Sequence, residues 1–417
     1  MANKIINRIR KLSRTDIVRD NFILFFCLII YNAIGYLFHF FAGRALGPGD
    51  YGTFTVLLSL LYLSNVVLTV IQTSITKFAA EFKDDKEKLA YLFVNSLRRL
   101  SFYGILLTIG FFIISPWIAR FLKINSVWPV LISGTFLFLS FIVSVNRGIL
   151  QGLQNFKKLG FSYIFEGLVK IVFGVGLILI GLGVEGGILA FVLSYIAAFL
   201  ITLFPLRSLF SMRKIHFDTK QVYKYSYVVL VALTLLTLIY TVDVTLVKHF
   251  LDPLEAGMYG AMSLMGKIIF FGTLSVSMVM FPKSSELFES KGANKSILYK
   301  SLGLVLLFGI PVTLFYFLFP TLSVNLLFGS AYMEMASFLG IYGLVMTLFS
   351  LVYLISFYLL SIKQSKFIYI LLGFVLVETA LIWLFHSTIG VVAYIMLALM
   401  AALFLVMMLI TVTTKDG

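Results

Sequence analysis

The sequence predicts an all-α polytopic membrane protein: twelve transmembrane helices in two six-helix lobes, related by a pseudo-two-fold axis along the membrane normal, with both termini cytoplasmic. Three observations carry this. Long apolar runs dominate a chain that is 60% hydrophobic, with a mean hydropathy of +1.03. Charged residues make up only 12% and gather in the gaps between the runs. The landmarks of the first half return in the second at a nearly constant offset. A hydrocarbon core about 30 Å thick needs roughly 20 apolar residues per helical span. Most of these segments also lack the polar face that a soluble helix would present.

Span one is placed near 20–43, after a basic cytoplasmic tail (1–19) with no convincing cleavage site, so it is expected to be retained. Span two lies near 52–75, beyond a Gly- and Pro-containing turn. Spans three (92–118) and ten (334–361) exceed the bilayer requirement, which implies tilt or an interfacial extension. Span four covers 127–147. Spans five (160–181) and six (186–206) are parted only around Gly183–Gly187 and complete an N-lobe of residues 20–206. A cytoplasmic linker, 207–222, leads to the C-lobe, 223–412. Its spans lie near 223–247, 255–281, 299–319, 334–361, 366–386 and 388–412, before a short tail, 413–417.

Orientation follows from the cations. With the N-terminus inside, 27 of the 33 Lys and Arg residues fall in cytoplasmic segments and four outside: Arg44, Arg120, Lys123 and Lys248. Lys170 and Lys267 lie within spans. This bias requires an even number of crossings and places the chain in the cell membrane. The net charge of +15 is thereby mostly topology and gives no reason to invoke nucleic acid, although the N-terminal tail suits anionic lipid. The single cysteine, Cys27, excludes an intramolecular disulfide, and His39, His216, His249 and His386 match no zinc spacing. No metal or other cofactor is expected beyond an unassigned coupling Na+ or H+.

Leu46-Gly47-Pro48 before Tyr51-Gly52 recurs as Leu251-Asp252-Pro253 before Tyr259-Gly260. Lys77 and Glu81 recur as Lys283 and Glu286, and Phe161, Tyr163 and Gly167 as Phe367, Tyr369 and Gly373. Gly183-Val184 recurs as Gly390-Val391, and every offset lies between 205 and 208. Two halves of six spans point the same way across the membrane, the arrangement of transporters built from parallel repeats, with substrate between lobes that rock.

The segment Gly43-Arg44-Ala45-Leu46-Gly47-Pro48-Gly49-Asp50-Tyr51-Gly52 resembles the "GRxLGPxxYG" signature of polysaccharide-type flippases. These belong to the multidrug/oligosaccharidyl-lipid/polysaccharide exporter (MOP) superfamily. Arg147-Gly148-Ile149-Leu150-Gln151-Gly152-Leu153-Gln154-Asn155-Phe156 resembles that family's "RGxxQGxxxF". Gly181 to Gly187 resembles its glycine turn, and Phe328-Gly329-Ser330-Ala331-Tyr332 its "FGxxY". The resemblance spans essentially the whole chain. It implies a flippase, not an enzyme, that moves isoprenoid-(pyro)phosphate-linked oligosaccharides to the outer leaflet for cell-surface glycan assembly. Its partners would be that substrate, membrane lipid and possible glycosyltransferases or a polymerase of the same pathway, and the chain would act as a monomer. Twelve spans argue mildly against the peptidoglycan precursor as substrate. The glycines of the first motif read mainly as a tight outer hairpin.

Polar residues within spans face a bundle interior or a hydrated cavity. Spans one and two carry stripes that include Asn32, Gly35, Tyr36 and His39, and Tyr62, Asn65, Thr69, Gln72 and Thr76. Spans seven and eight carry Thr234, Thr237, Thr241 and Thr245, and Tyr259, Ser263 and Lys267. Interhelical hydrogen bonding is the alternative to a cavity. Lys267 has no acid at i±3 or i±4; it could contact a diphosphate, pair with Asp243 or Glu378, or snorkel. Glu166 and Lys170 are spaced i,i+4 and are expected to pair, with a gating or phosphate-contacting role for Lys170 as the alternative. Arg147 could clamp phosphate or serve as an inner anchor, and Arg44 reads as an outer-interface anchor. Asp243 could bind a coupling cation but is expected to pair with Lys248. Glu378 is a candidate proton or sodium site, and Glu166 a third ion-coupling candidate. Asp84-Asp85 reads as solvated charge. Two other functions stay open: an ion-coupled multidrug or cation antiporter of the same superfamily, whose cavity should be rich in carboxylates, and a membrane glycosyltransferase, which would need a catalytic carboxylate motif.

Overall fold

The computed structural model describes the backbone of residues 2–215, 227–291 and 295–413. It describes side chains from residue 24 onward, apart from 25, 227, 282, 286 and 289–291. His216, Lys220, Lys224 and the second part of the expected linker, 216–222, lie outside the described residues, as do 414–417 with Lys415.

All regular structure among the described residues is helical. Helix α1 spans Ala2–Glu81, α2 Lys86–Phe121, α3 Trp128–Gly152, α4 Phe156–Leu177 and α5 Gly183–Leu203. A 3₁₀ segment, Phe204–Phe210, follows. Then come α6 (Tyr227–Ile239), α7 (Val242–Phe250), α8 (Pro253–Lys291), α9 (Lys295–Leu318), α10 (Pro320–Leu327), α11 (Ala336–Ser361), α12 (Phe367–Leu384) and α13 (Ile389–Thr413).

Against the twelve spans expected, ten separate helical stretches among the described residues are long and apolar enough to cross a membrane. Two of these are 56 and 55 residues long, because the chain stays helical on both sides of a glycine break. Gly47 (φ 69°, ψ 169°) breaks α1 just before Pro48. Gly181 (φ 94°) and Gly183 (φ 49°) interrupt the second stretch around a π-helical turn, Ile178–Leu182. Only glycine enters that region of backbone space without a Cβ penalty, so the break is absorbed in one or two residues. The expected span seven is itself discontinuous, ending at Ile239 and restarting at Val242. Asp85 is more than solvated charge: its Oδ1 accepts the Lys88 N–H at 3.1 Å, opening α2, and its Oδ2 lies 3.0 Å from Lys88 Nζ. These contacts, the backbone N–H first, hold its carboxyl below the usual range.

The chain groups into two compact units. Unit 1 is Met1–Ala42, Val67–Ala119 and Ser126–Ser226; unit 2 is Gly43–Val66, Arg120–Asn125 and Tyr227–Gly417. In unit 1, α5 packs on α3 and α4. A core of Ile75, Phe78, Leu92, Phe93, Val145 and Ile149 joins the later part of α1 to α2 and α3. In unit 2, α11 is central, packing on α8, α9 and α13. That position explains why nearly its whole circumference, from Tyr342 through Phe349 to Tyr358, is buried.

Candidate functional site

Each unit buries a cluster of ionisable side chains in its spans. In unit 1, α3 supplies Arg147, α4 supplies Glu166 and Lys170, and the first part of α1 supplies Tyr31. Glu166 is fully buried. Its Oε2 lies 2.6 Å from Arg147 Nη2, and its Oε1 accepts the Tyr31 hydroxyl at 2.6 Å. The Arg147 guanidinium lies 3.8 Å over the Tyr163 ring, with its Nε unpartnered. Lys170 Nζ donates to the Tyr31 oxygen at 3.5 Å and sits 4.7 Å over the Tyr31 ring and 4.9 Å over Phe191.

Two expectations are corrected here. Glu166 does not pair with Lys170, because both carboxylate oxygens are taken by side chains from other helices. A flat, weakly hydrated guanidinium stacked on Tyr163 also suits this buried site better than an ammonium. Nor is Arg147 an anchor at the inner interface, since only 4% of it is exposed. The cluster carries one more positive charge than negative.

In unit 2, Asp243 sits at the restart of the broken span, in the first turn of α7, where the helix dipole favours an anion. Its Oδ2 accepts hydroxyls from Tyr259 (2.8 Å) and Tyr342 (2.6 Å), and Tyr342 is also 3.1 Å from Ser263 Oγ. The expected pairing with Lys248 does not form; two phenols satisfy the carboxylate instead. Lys267 on α8 is 4% exposed and makes no ion pair or hydrogen bond among the described residues. No direct pair with Asp243 or Glu378 forms among the described residues, although Asp243 is near enough to act on the ammonium through space. Its ammonium is held by aromatic faces, 5.2 Å from the Tyr240 ring centre and 6.0 Å from that of Tyr62. Glu378 on α12 is 1% exposed, and neither of its oxygens has a hydrogen-bond partner.

The remaining candidates are not drawn into these clusters. Gln72 donates to Gln151 Oε1 at 2.9 Å, an interhelical bond. Asn32 is exposed, Tyr36 is half-buried beside Phe40, and Asn65 is half-buried. The threonine stripe of span seven is spent locally: Thr241 and Thr245 donate to the carbonyls of Thr237 and Thr241. Pattern reading missed Tyr31 and Tyr342. Tyr31 carried a weak signal, one residue before Asn32 in a polar-rich span; Tyr342 carried none.

The family model described as "Polysaccharide biosynthesis protein" matches residues 41–337, well over half of the chain. The chain belongs to this family. An uncharacterized membrane protein of Methanocaldococcus jannaschii is 22% identical over 291 residues, covering 65% of this chain and 68% of the relative. Among solved structures, an inward-facing multidrug resistance MATE family transporter of the MOP superfamily superposes with a TM-score of 0.75. It is 14% identical, with 93% of this chain and 96% of that one covered. The lipid II flippase MurJ, in an inward closed conformation, gives a TM-score of 0.72 at 16% identity, covering 94% of this chain and 87% of the other. A MOP superfamily transporter from Pyrococcus furiosus gives 0.64 at 17% identity, with 96% of each chain covered. The chain is thus a multi-pass membrane protein with the fold of MOP transporters.

In this polysaccharide biosynthesis protein the loop signatures are packing devices. Arg44 is not simply an interface anchor. It closes the C-terminal end of α10, donating to the carbonyls of Leu326 (2.6 Å), Asn325 (3.0 Å) and Leu327 (3.2 Å). The Tyr332 hydroxyl donates to Gly43 O at 2.7 Å, so the first and last signatures interlock. A Cβ on Gly52 would stand 2.7 Å from Gly257 N, and one on Gly257 would overlap Pro48 O, so two backbones touch there. In the Arg147-to-Phe156 signature, Cβ atoms on Gly148 and Gly152 would collide with Ile75 and Ala79, which lets α3 lie against α1.

Proposed function

We propose that this protein is a flippase that carries an isoprenoid-(pyro)phosphate-linked oligosaccharide from the cytoplasmic to the outer leaflet by alternating access. The observation that carries the reading is Lys267, an ammonium buried inside a span with no direct ion pair or hydrogen bond among the described residues, on which the Asp243 carboxylate acts only through space. A buried cation without a directly bound counter-ion is costly, and a substrate diphosphate would complete it. Lys170 and Arg147, with their one excess charge, are the second phosphate-contacting candidates. Asn32, Tyr36, Asn65, Gln72, Tyr259 and Ser263 are secondary ones.

The reading includes twelve crossings with both termini cytoplasmic and two parallel repeats. Dividing the two long stretches at Gly47 and Gly181 supports the number. The repeat is supported by a shared local form: the chain leaves helical geometry at Gly47 and at Leu251 (ψ 168°), re-enters at Pro48 and Pro253, and buries Tyr51 and Tyr259 completely. For coupling, Glu378 is the leading candidate, because a carboxylate with both oxygens unpartnered must be neutralised by a proton or a cation such as Na+. Asp243 follows, and Glu166 ranks last because Arg147 and Tyr31 already occupy it.

The buried carboxylates Asp243 and Glu378 also favour a second reading, an ion-coupled multidrug or cation antiporter. An ion-dependent drug-efflux assay in a sensitised strain separates the two. The direct test is complementation of a flippase-deleted strain: Lys267→Ala and Lys267→Glu should both reach the membrane normally and fail to restore surface glycan. Full complementation by the Glu variant removes Lys267 from the mechanism.

A further inference from the structure

Lys267 does not stand alone. Its two ring contacts open an aromatic series within unit 2. Tyr240 lies 5.6 Å from Phe270 and 5.4 Å from Phe349, and Phe270 lies 5.0 Å from Tyr353. Tyr353 in turn stacks on Phe357 at 4.6 Å, with an interplanar angle of 27°.

Phe270 and Phe349 are buried and account for themselves as core. So does Tyr240, which is buried and has Thr237 as a side-chain hydrogen-bond partner; the other two tyrosines do not. Tyr62 and Tyr353 are only half-buried, and neither phenol makes a hydrogen bond among the described residues, although both lie in spans. A tyrosine in an apolar setting ordinarily finds a partner for its hydroxyl. Tyr259, Tyr342, Tyr332 and Tyr316 in the same unit all do so. Tyr62 and Tyr353, the two half-buried tyrosines described in this unit, do not: the first lies beside the Lys267 ammonium and the second at the next ring but one. Packing alone would be served as well by Phe at 62 and 353.

We infer that Tyr62, Tyr240 and Tyr353 form, with Lys267, a subsite for the phosphate-linked sugar of the substrate. Lys267 takes the phosphate, ring faces lie against the pyranose, and the phenols of Tyr62 and Tyr353 take its hydroxyls. This rests on the flippase reading and adds that the protein recognises the sugar as well as the charged lipid. The chemistry fits a neutral, hydroxyl-rich ring attached to an anion. It does not fit a lipophilic cation, which the Lys267 ammonium would repel.

The test uses the full chain in nanodiscs. The first probe is the polyprenyl-linked glycan pool extracted from source cells that lack this gene; the second is a sugar-free C55 polyprenyl diphosphate. The wild type should bind the glycan pool at least tenfold more tightly. Tyr62→Phe and Tyr353→Phe should each weaken binding of that pool about three- to tenfold, the range expected for one hydrogen bond, with the loss confined to it. Lys267→Ala should weaken both probes. Tyr394→Phe, an exposed tyrosine remote in sequence, serves as the matched control. Tyr353→Leu, which removes the ring, should lose more than Tyr353→Phe at an unchanged melting temperature. Equal weakening of both probes by the tyrosine variants, no weakening by either, or a wild type that ignores the sugar overturns the subsite. A wild type that binds neither probe overturns the flippase reading as well.

Discussion

Residues 147 and 166 show how a buried ion pair turns into a liability when halved. Removing Arg147 leaves Glu166 fully buried without its direct ion pair, hydrogen-bonded only to the Tyr31 hydroxyl. Breaking such a pair costs about 3–5 kcal/mol, whereas replacing both members with apolar or neutral groups is often neutral. Arg147→Met should therefore lower the melting temperature of the detergent-solubilised protein sharply, and adding Glu166→Gln should recover much of it. A double variant as unstable as the single one would show that the guanidinium matters for its stacking on Tyr163 instead. At this scale the sequence was legible only in part. The ionisable residues within spans stood out at once, since each is expensive there. Their partners did not: Glu166 binds Arg147, nineteen positions away, in preference to Lys170 on its own helix face. Asp243 binds Tyr342, about a hundred positions on, in preference to nearby Lys248. Helical spacing supplies candidates, and the approach of a second helix chooses among them.

At the scale of elements, the family signatures fold into helix breaks and crossings. Gly52 and Gly257 let two helix ends meet backbone to backbone, so Gly257→Ala should reduce folded yield and melting temperature. Gly110→Ala, at a helical glycine with open space where a Cβ would stand, should leave both unchanged or slightly raised by helix propensity. Equal tolerance at the two sites would contradict the crossing. Arg44→Ala strips three carbonyls at the end of α10 of their donor and leaves the helix dipole uncompensated. Its melting temperature should fall by more than that of Arg44→Lys, which keeps the charge but loses the fork. The turn at Gly47 was readable from sequence because glycine and proline act locally. The role of Arg44 was hidden, since its acceptors lie some 280 residues away and are backbone atoms, which leave no mark in composition.

At the scale of the whole molecule, the testable statement is topology. In a Cys27→Ser background, single cysteines at positions 126 and 388 should react with a membrane-impermeant maleimide in intact cells. Cysteines at 84 and 364 should react only after permeabilisation. The opposite pattern, or labelling of all four, would refute an even number of crossings with cytoplasmic ends.

Membrane class, the location of apolar spans, their cationic flanks and the family were all available from the linear chain. Partition into hydrocarbon depends on the composition of each segment, and turn-forming residues act within a few positions. What the folded chain alone revealed is which buried charges are quenched and which are left over. An ion pair or a phenol hydrogen bond needs atoms within about 3 Å, and the helices that meet at Glu166, Asp243 and Lys267 are brought together by packing that no local pattern encodes.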